Sequence, residues 1–228
     1  VDIVARPSGL ATDFTRMMTH AMSKAVADVT LRVWTPQSAV VRFVKEVAPQ
    51  VLDLTDAGGT APVPQSRDYP TGSWGAESRD YHICVDVPPG AAGDEMLAAR
   101  VSVVEGDTVH TQALVRAVWT DDLDSTTTIN RQVAHYTNET ELADAILEGT
   151  QAQKAGDLER ATLKLGRAVQ LAAESGREDT AKLLAKVVDV VDERSGTVRL
   201  RPAAASIDAE MAAVASRKTQ QVRPSQAG

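Results

Sequence analysis

The 228-residue sequence predicts an α+β chain: an antiparallel β-sandwich-like module followed by a small α-helical hairpin or bundle. Two changes of hydrophobic period carry this reading. Across residues 27–122 apolar side chains alternate with polar ones, as on a strand with one face buried. Across residues 138–193 they recur every three or four positions, as on an amphipathic helix. Gly- and Pro-containing turn signals divide the first stretch into short pieces, which favours antiparallel connections.

The first element is a helix at 10–26. Leu10, Phe14, Met17, Met18, Ala21, Met22 and Ala25 form a single stripe that either packs on a sheet or serves as the groove ligand of a partner. Strand patterns follow at Val29–Val33, Val40–Val47, Tyr81–Val87, Leu97–Val103 and Ala113–Trp119. Their spacing suggests about six or seven short strands. Turn signals fall at Thr35-Pro36, at Asp56 to Gly59, at Pro88-Pro89-Gly90 and at Glu105-Gly106-Asp107, the last a hairpin tip. Residues 57–80, polar and rich in Gly, Pro and Ser, read as a long surface loop that Tyr69 and Trp74 could order.

In the helical stretch, Asn138 with Glu141 three residues on forms a capping box. Leu142, Ala145, Ile146, Gly149 and Ala152 make the first stripe, and Leu158, Ala161, Leu165, Ala168, Val169 and Ala172 the second. Gly156-Asp157 turns the chain between them, with Asp157 as N-cap, and Ser175-Gly176 ends the second helix. A third helix is predicted at about 179–193, with Leu184, Val187, Val188 and Val191 on one face. Residues 197–228 read as a flexible tail with a weak helix near Ile207–Ala215. The domains are thus 1–26, 27–124, 125–196 and 197–228. From Arg194 to Gly228 the chain is basic (Arg194, Arg199, Arg201, Arg217, Lys218 and Arg223 against Asp208 and Glu210) within a sequence of net charge -7.

That acidic balance argues against nucleic acid as a partner, since such binding needs a basic face. The single cysteine, Cys84, excludes an internal disulfide and fits a reducing, cytoplasmic setting. No apolar run approaches the roughly 20 residues of a membrane helix, and no signal peptide is visible. The chain opens at Val1 with a helical pattern almost at once, from which we expect that the amino-terminal part of a longer protein is missing.

Enzymes need convergent polar groups. His82, Cys84 and Asp86 share one face of a strand. Neighbours on a strand face lie roughly 6.6–7 Å apart, too far for a nucleophile–base hydrogen bond. An outward or interfacial strand face is therefore expected there. Asp121, Asp122 and Asp124 cluster at a strand end, and Asp124-x-Thr126-x-Thr128 imitates a metal motif without the buried parallel strand such a motif follows. His20, His110 and His135 are isolated. No catalytic, cofactor-binding or metal-binding residue is assigned, and the expectation is a protein that is not an enzyme. The alternative is a ligand- or carbohydrate-binding β-sandwich using Trp34, Trp74 or Trp119 as a platform, although Trp119 is expected in the core.

The segment from Lys154 through Gly156-Asp157, Ala161, Leu165, Ala168 and Leu171 resembles the second half of a tetratricopeptide repeat, in which small residues let two helices approach closely. A broader resemblance rests on Leu31-Arg-Val-Trp-Thr-Pro36, Val41-Arg-Phe-Val44, Asp68-Tyr-Pro-Thr-Gly-Ser-Trp-Gly75, Arg79-Asp-Tyr-His82, Val115-Arg-Ala-Val-Trp-Thr120, Ile129-Asn-Arg-Gln-Val-Ala-His-Tyr136 and the run from Glu178 to Val191. Together these resemble the carboxy-terminal half of cytoplasmic actinobacterial von Willebrand factor A (VWA) domain-containing proteins. The resemblance implies that residues 1–26 are the terminal part of a VWA domain, one helix left from a truncated unit. It implies no cofactor in this fragment, because the divalent metal such domains bind through Asp-x-Ser-x-Ser would belong to the missing amino-terminal part. It also implies a non-enzymatic adaptor that binds protein partners in a phosphorylation-linked module, with a forkhead-associated (FHA) domain protein among them. On that reading Thr219 is the candidate phosphosite and Val222, three residues on, the candidate recognition residue. No membrane and no nucleic acid partner is expected.

Overall fold

β-branched and aromatic residues alternating with polar ones build eight strands in the first part of the chain. They are β1 (Val26–Trp34), β2 (Val40–Ala48), β3 (Leu52–Asp53), β4 (Gly59–Thr60), β5 (Ser66–Trp74), β6 (Asp80–Asp86), β7 (Glu95–Glu105) and β8 (Thr108–Val118). The structure is a computed structural model, and it describes residues 18–19, 26–122, 130–201 and 206–221. Two compact units divide the chain. Among the described residues, one holds 18–19, 26–46, 52–122 and 130; the other holds Val47–Val51, 131–201 and 206–221. The predicted helix at 10–26 lies outside the described residues apart from the helical, exposed Met18 and Thr19 and from Val26, which opens β1.

In the β unit the strands form a five-stranded sheet of order β4-β5-β1-β7-β8 and a three-stranded sheet of order β3-β2-β6. The registered pairs are antiparallel. Leu31 and Val33 of β1, Tyr69 of β5 and Ala99 of β7 meet Val44 of β2 and Leu54 in one buried cluster, with Tyr81, Ile83 and Val85 of β6 packed on it. Both sheets therefore contribute to the same core. Gly106, at φ 55, turns the chain between β7 and β8.

The stretch 57–80, expected as a loop, contains β4 and β5. β5 hides from a periodicity search because Pro70, Gly72 and polar residues interrupt it. Its pairing still tolerates them. Pro70 lies opposite Thr30 of β1, while β4 covers only Arg67 and Asp68, so no ladder bond is demanded of the missing N–H. Two polar clamps hold it. Arg32 donates to both carboxylate oxygens of Asp68 at 2.7 and 2.8 Å. Arg79 donates to the carbonyls of Thr71 and Ser73 at 2.6 and 2.8 Å, pairs with Glu77, and lies over the Trp74 ring.

The second unit contains α1 (Arg131–Ala155), α2 (Leu158–Glu174), α3 (Glu178–Val187), the hairpin β9 (Val188–Asp192) and β10 (Thr197–Leu200), and α4 (Ser206–Ser216). Gly156, at φ 82, ends α1, and the Asp157 carboxylate accepts from the Arg160 amide at 3.0 Å to cap α2. Leu142, Ile146, Leu165, Val169, Leu184, Val187, Val188 and Ala212 are buried together. Among the described residues no helix is long and apolar enough to cross a membrane.

Three expectations differ here. α1 begins at Arg131, so Asn138 lies inside it and caps nothing; the buried Tyr136 extends its stripe upstream. The predicted third helix stops at Val187 and becomes strand at Val188, where φ -130 and ψ 151 mark extended backbone. A run of β-branched residues satisfies either period, and pairing with β10 decides it. The predicted flexible tail is structured at Thr197–Leu200 and Ser206–Ser216, and Ala209 and Ala212 bury α4 against the helical core.

Small residues permit the closest approaches. A Cβ on Gly166 of α2 would overlap the carbonyl oxygen of Gly196, which turns β9 into β10 at φ 65. Both groups are backbone and cannot swing aside. Gly166→Ala is therefore expected to lower the unfolding free energy by about 1–3 kcal/mol, read from urea denaturation. An unchanged midpoint would show that the hairpin does not rest on α2.

Candidate functional site

The helical unit contains a cleft of about 730 Å³, lined by α1, the α2–α3 turn and the segment after α4. Glu139 lies on the buried face of α1, with Tyr136 and Thr140 beside it, and its side chain is 2% exposed. Arg177, in the α2–α3 turn, forms an ion pair with it. The same guanidinium donates to the Lys218 carbonyl at 2.9 Å. One cation therefore joins α1, the turn and the carboxy-terminal segment. A buried carboxylate needs such a partner, and Arg, with several donors in a fixed plane, serves two acceptors at once.

Around Lys218 the chain is held by backbone pairing. Val51 donates to the Arg217 carbonyl at 2.7 Å, Thr219 donates to the Pro49 carbonyl at 2.9 Å, and Gln50 and Lys218 form an antiparallel bridge. The Thr219 hydroxyl donates to the Val47 carbonyl, and the residue is 8% exposed. The candidate phosphosite therefore sits in a docked segment, in contrast to the mobile tail expected from sequence. Kinase access would require residues 217–219 to detach. Val222 lies outside the described residues.

The remaining sequence candidates are dispersed. On β6, His82 meets the edge of Phe43 at 5.0 Å between centroids, and Asp86 pairs with Arg42 at 2.6 Å. Cys84 is a free, half-buried thiol between them. Burial, and secondarily Lys45, holds the His82 imidazole below its ordinary pKa. The tryptophans have separate partners: Trp34 lies under Arg100, Trp74 stacks on Tyr81, and Trp119 covers Gly90. Trp119, expected in the core, is half-buried after β8. Its ring lies against the space a Gly90 side chain would fill, 2.7 Å from an ideal Cβ. Asp124, Thr126 and Thr128 lie outside the described residues. Among the described residues no three His, Cys, Asp or Glu side chains converge as a metal site requires, so no step is derived through the divalent metal that the VWA resemblance implies.

Sequence reading missed Glu139 and Arg177. The available signal was an acid at the third position between Tyr136 and Leu142, inside an apolar face where a charge is retained only when paired.

Comparison with known proteins finds likeness to VWA-type proteins. Residues 170–212, covering the end of α2, α3, the hairpin and part of α4, match the von Willebrand factor type A C-terminal domain. The structure is similar to that of a von Willebrand factor type A protein from Catenulispora acidiphila, with 49% identity and a TM-score of 0.88; the match covers 97% of this chain and 53% of that one. The chain thus spans about half the length of that relative. A second structure, of the ArnB paralog VWA2 from Sulfolobus acidocaldarius, aligns over 94% of this chain and 47% of that one at 15% identity and a TM-score of 0.40. No curated protein matches the chain.

Two outcomes are expected. Arg177→Met should cost about 3–5 kcal/mol in chemical denaturation, because it leaves the Glu139 carboxylate buried without its cation; the Glu139→Gln, Arg177→Met pair should recover part of that loss. His82 is neutral in the folded state at a pH where the unfolded chain is protonated, so the unfolded state binds more protons. Its stabilising contribution is complete above the unfolded imidazole pKa of about 6.5 and is lost as pH falls toward the depressed folded value. His82→Gln should flatten the denaturation midpoint against pH between about 7 and 5.

Proposed function

We propose that this protein is a non-enzymatic interaction module, an antiparallel β-sandwich joined to a helical hairpin bundle, that docks protein partners in the cytoplasm. The observation that carries the reading is β8. Among the described residues it pairs only with β7, so its other backbone edge is open along the length of Thr108–Val118. Val109, Leu114, Val115 and Val118 on it are 52%, 54%, 46% and 63% exposed. A long, apolar, unprotected edge strand invites pairing with a strand from another chain, since natural sheets otherwise blunt such edges. The dispersal of His82, Cys84 and Asp86 among unrelated partners agrees with a docking role.

The likeness to VWA-type proteins supports the same class. In its finer form the reading is an adaptor in a phosphorylation-linked module, with an FHA-domain partner reading Thr219 and Val222. Phosphate at Thr219 would expel its hydroxyl from the Val47 carbonyl and release the docked segment. A pull-down with peptides spanning Thr219, with and without phosphate, tests that form; equal recovery of an FHA protein removes it.

For the docking role, the full chain and a Val115→Lys, Val118→Lys variant are compared as bait in lysate from the source organism. Both positions are exposed, so stability should change by less than about 0.5 kcal/mol. A partner recovered by the parent, lost by the variant and reproduced with purified components is the expected result. Partners that bind both baits equally would place docking elsewhere.

A further inference from the structure

A small cavity of about 90 Å³ opens on the outward face of the five-stranded sheet. Strand register assembles its lining. Trp34 of β1 lies opposite Ser66 of β5 on one side and Arg100 of β7 on the other. One outward position along, Arg32 lies between Asp68 and Ser102, and Gln112 of β8 lies beyond Ser102.

Two side chains here lack the partner their chemistry calls for. Ser66 is 9% exposed, and its hydroxyl oxygen is buried with no hydrogen-bond partner. A buried hydroxyl without a hydrogen-bond partner is destabilising, because its lost contact with water is not replaced. Arg100 rests over the Trp34 ring, 5.4 Å to its centroid, and has no carboxylate partner among the described residues. A guanidinium held over an indole face keeps N–H donors available, because the ring offers no conventional acceptor for them. Arg32, by contrast, is neutralised by its two bonds to Asp68.

Charge decides the class of ligand. Arg32 and Asp68 cancel, and Arg100 leaves one positive charge at the lining. Asp107 on the exposed β7–β8 turn exerts a weaker pull on Arg32, across solvent that screens it. A single positive charge suits a monoanion, whereas a phosphate dianion would set surplus negative charge beside Asp68.

We propose that this cavity binds one carboxylate group, of the size of acetate or of the end of an acidic side chain. The Arg100 guanidinium donates to the carboxylate, and the Ser66 hydroxyl, buried and unpaired as it stands, rotates about its Cα–Cβ bond to donate a further hydrogen bond. Val109 and Gln112 of β8 border this cavity too, but neither Val115 nor Val118 does, so the variant that tests docking leaves the lining intact and the two readings can fail separately.

The test titrates the nitrogen-15-labelled full chain with sodium acetate, with the N-acetyl amide of glutamate, and with inorganic phosphate at matched ionic strength and pH 7.5. The Arg100 Nε–H and Trp34 indole N–H resonances are followed. Saturable displacement by acetate and by the glutamate derivative is expected. Tighter binding of the derivative identifies a polypeptide side chain as the source, and tighter binding of acetate a free small acid. Arg100→Lys keeps the charge but loses the planar fork, and should weaken binding by about tenfold or more. Ser66→Ala should also weaken binding, while leaving thermal stability equal or higher, because it deletes a buried unpaired hydroxyl. Absence of saturation, tighter binding of phosphate than of acetate, or unchanged affinity in Arg100→Lys would overturn the assignment.

Discussion

The Arg177 guanidinium is the constraint on which the helical unit depends. Glu139 is fixed on the buried face of α1 by the apolar residues around it, and a carboxylate there is tolerated only with a cation at hand. Because the α2–α3 turn supplies that cation, the turn must lie against α1. The same fork then takes the Lys218 carbonyl, which brings the chain after α4 to the same place. Residues 217–219 complete the arrangement by pairing with Val47–Val51, a short stretch at the end of β2 that belongs to the helical unit. A single buried charge thus sets the position of three sequence-distant pieces.

This economy bears on function. Polar groups inside each unit are spent on structure: Arg32 on Asp68, Arg79 on the β5 carbonyls, Arg177 on Glu139. What remains for other molecules lies on the outside, chiefly along β8 and around Arg100. Surfaces of this type can recognise chains and charged groups, which is the basis of the docking role proposed above.

Much of this was legible in the sequence because it is written in period and turn chemistry. The alternation in β1, β2, β6 and β7, the Gly106-Asp107 hairpin tip and the Gly156-Asp157 break all appear where those signals put them. The rest depends on contacts between residues far apart in the chain. β5 contains Pro70 and Gly72, and becomes a strand only because β1 supplies a partner that leaves the Pro70 nitrogen undemanded. The run Val187 to Val191 fits helix and strand alike until β10 chooses. The carboxy-terminal segment lacks an apolar period over most of its length, and its order comes from α4 packing, from Arg177 and from backbone pairing that no local pattern encodes. The strings that suggested the VWA resemblance include the clamps themselves, Arg32 with Asp68 and Arg79 with Trp74, so the likeness was carried in part by residues that hold the sheet together.

Amide hydrogen exchange at Thr219 and Val51 probes the docked segment most directly. In the parent chain both amides, bonded to Pro49 and Arg217, should be protected to a degree comparable with the α1 core, and Arg177→Met should release Thr219 selectively at low denaturant. Exchange of Thr219 at the rate of an unstructured peptide in the parent chain would contradict the account, returning residues 217–219 to a free tail and leaving Arg177 with Glu139 alone.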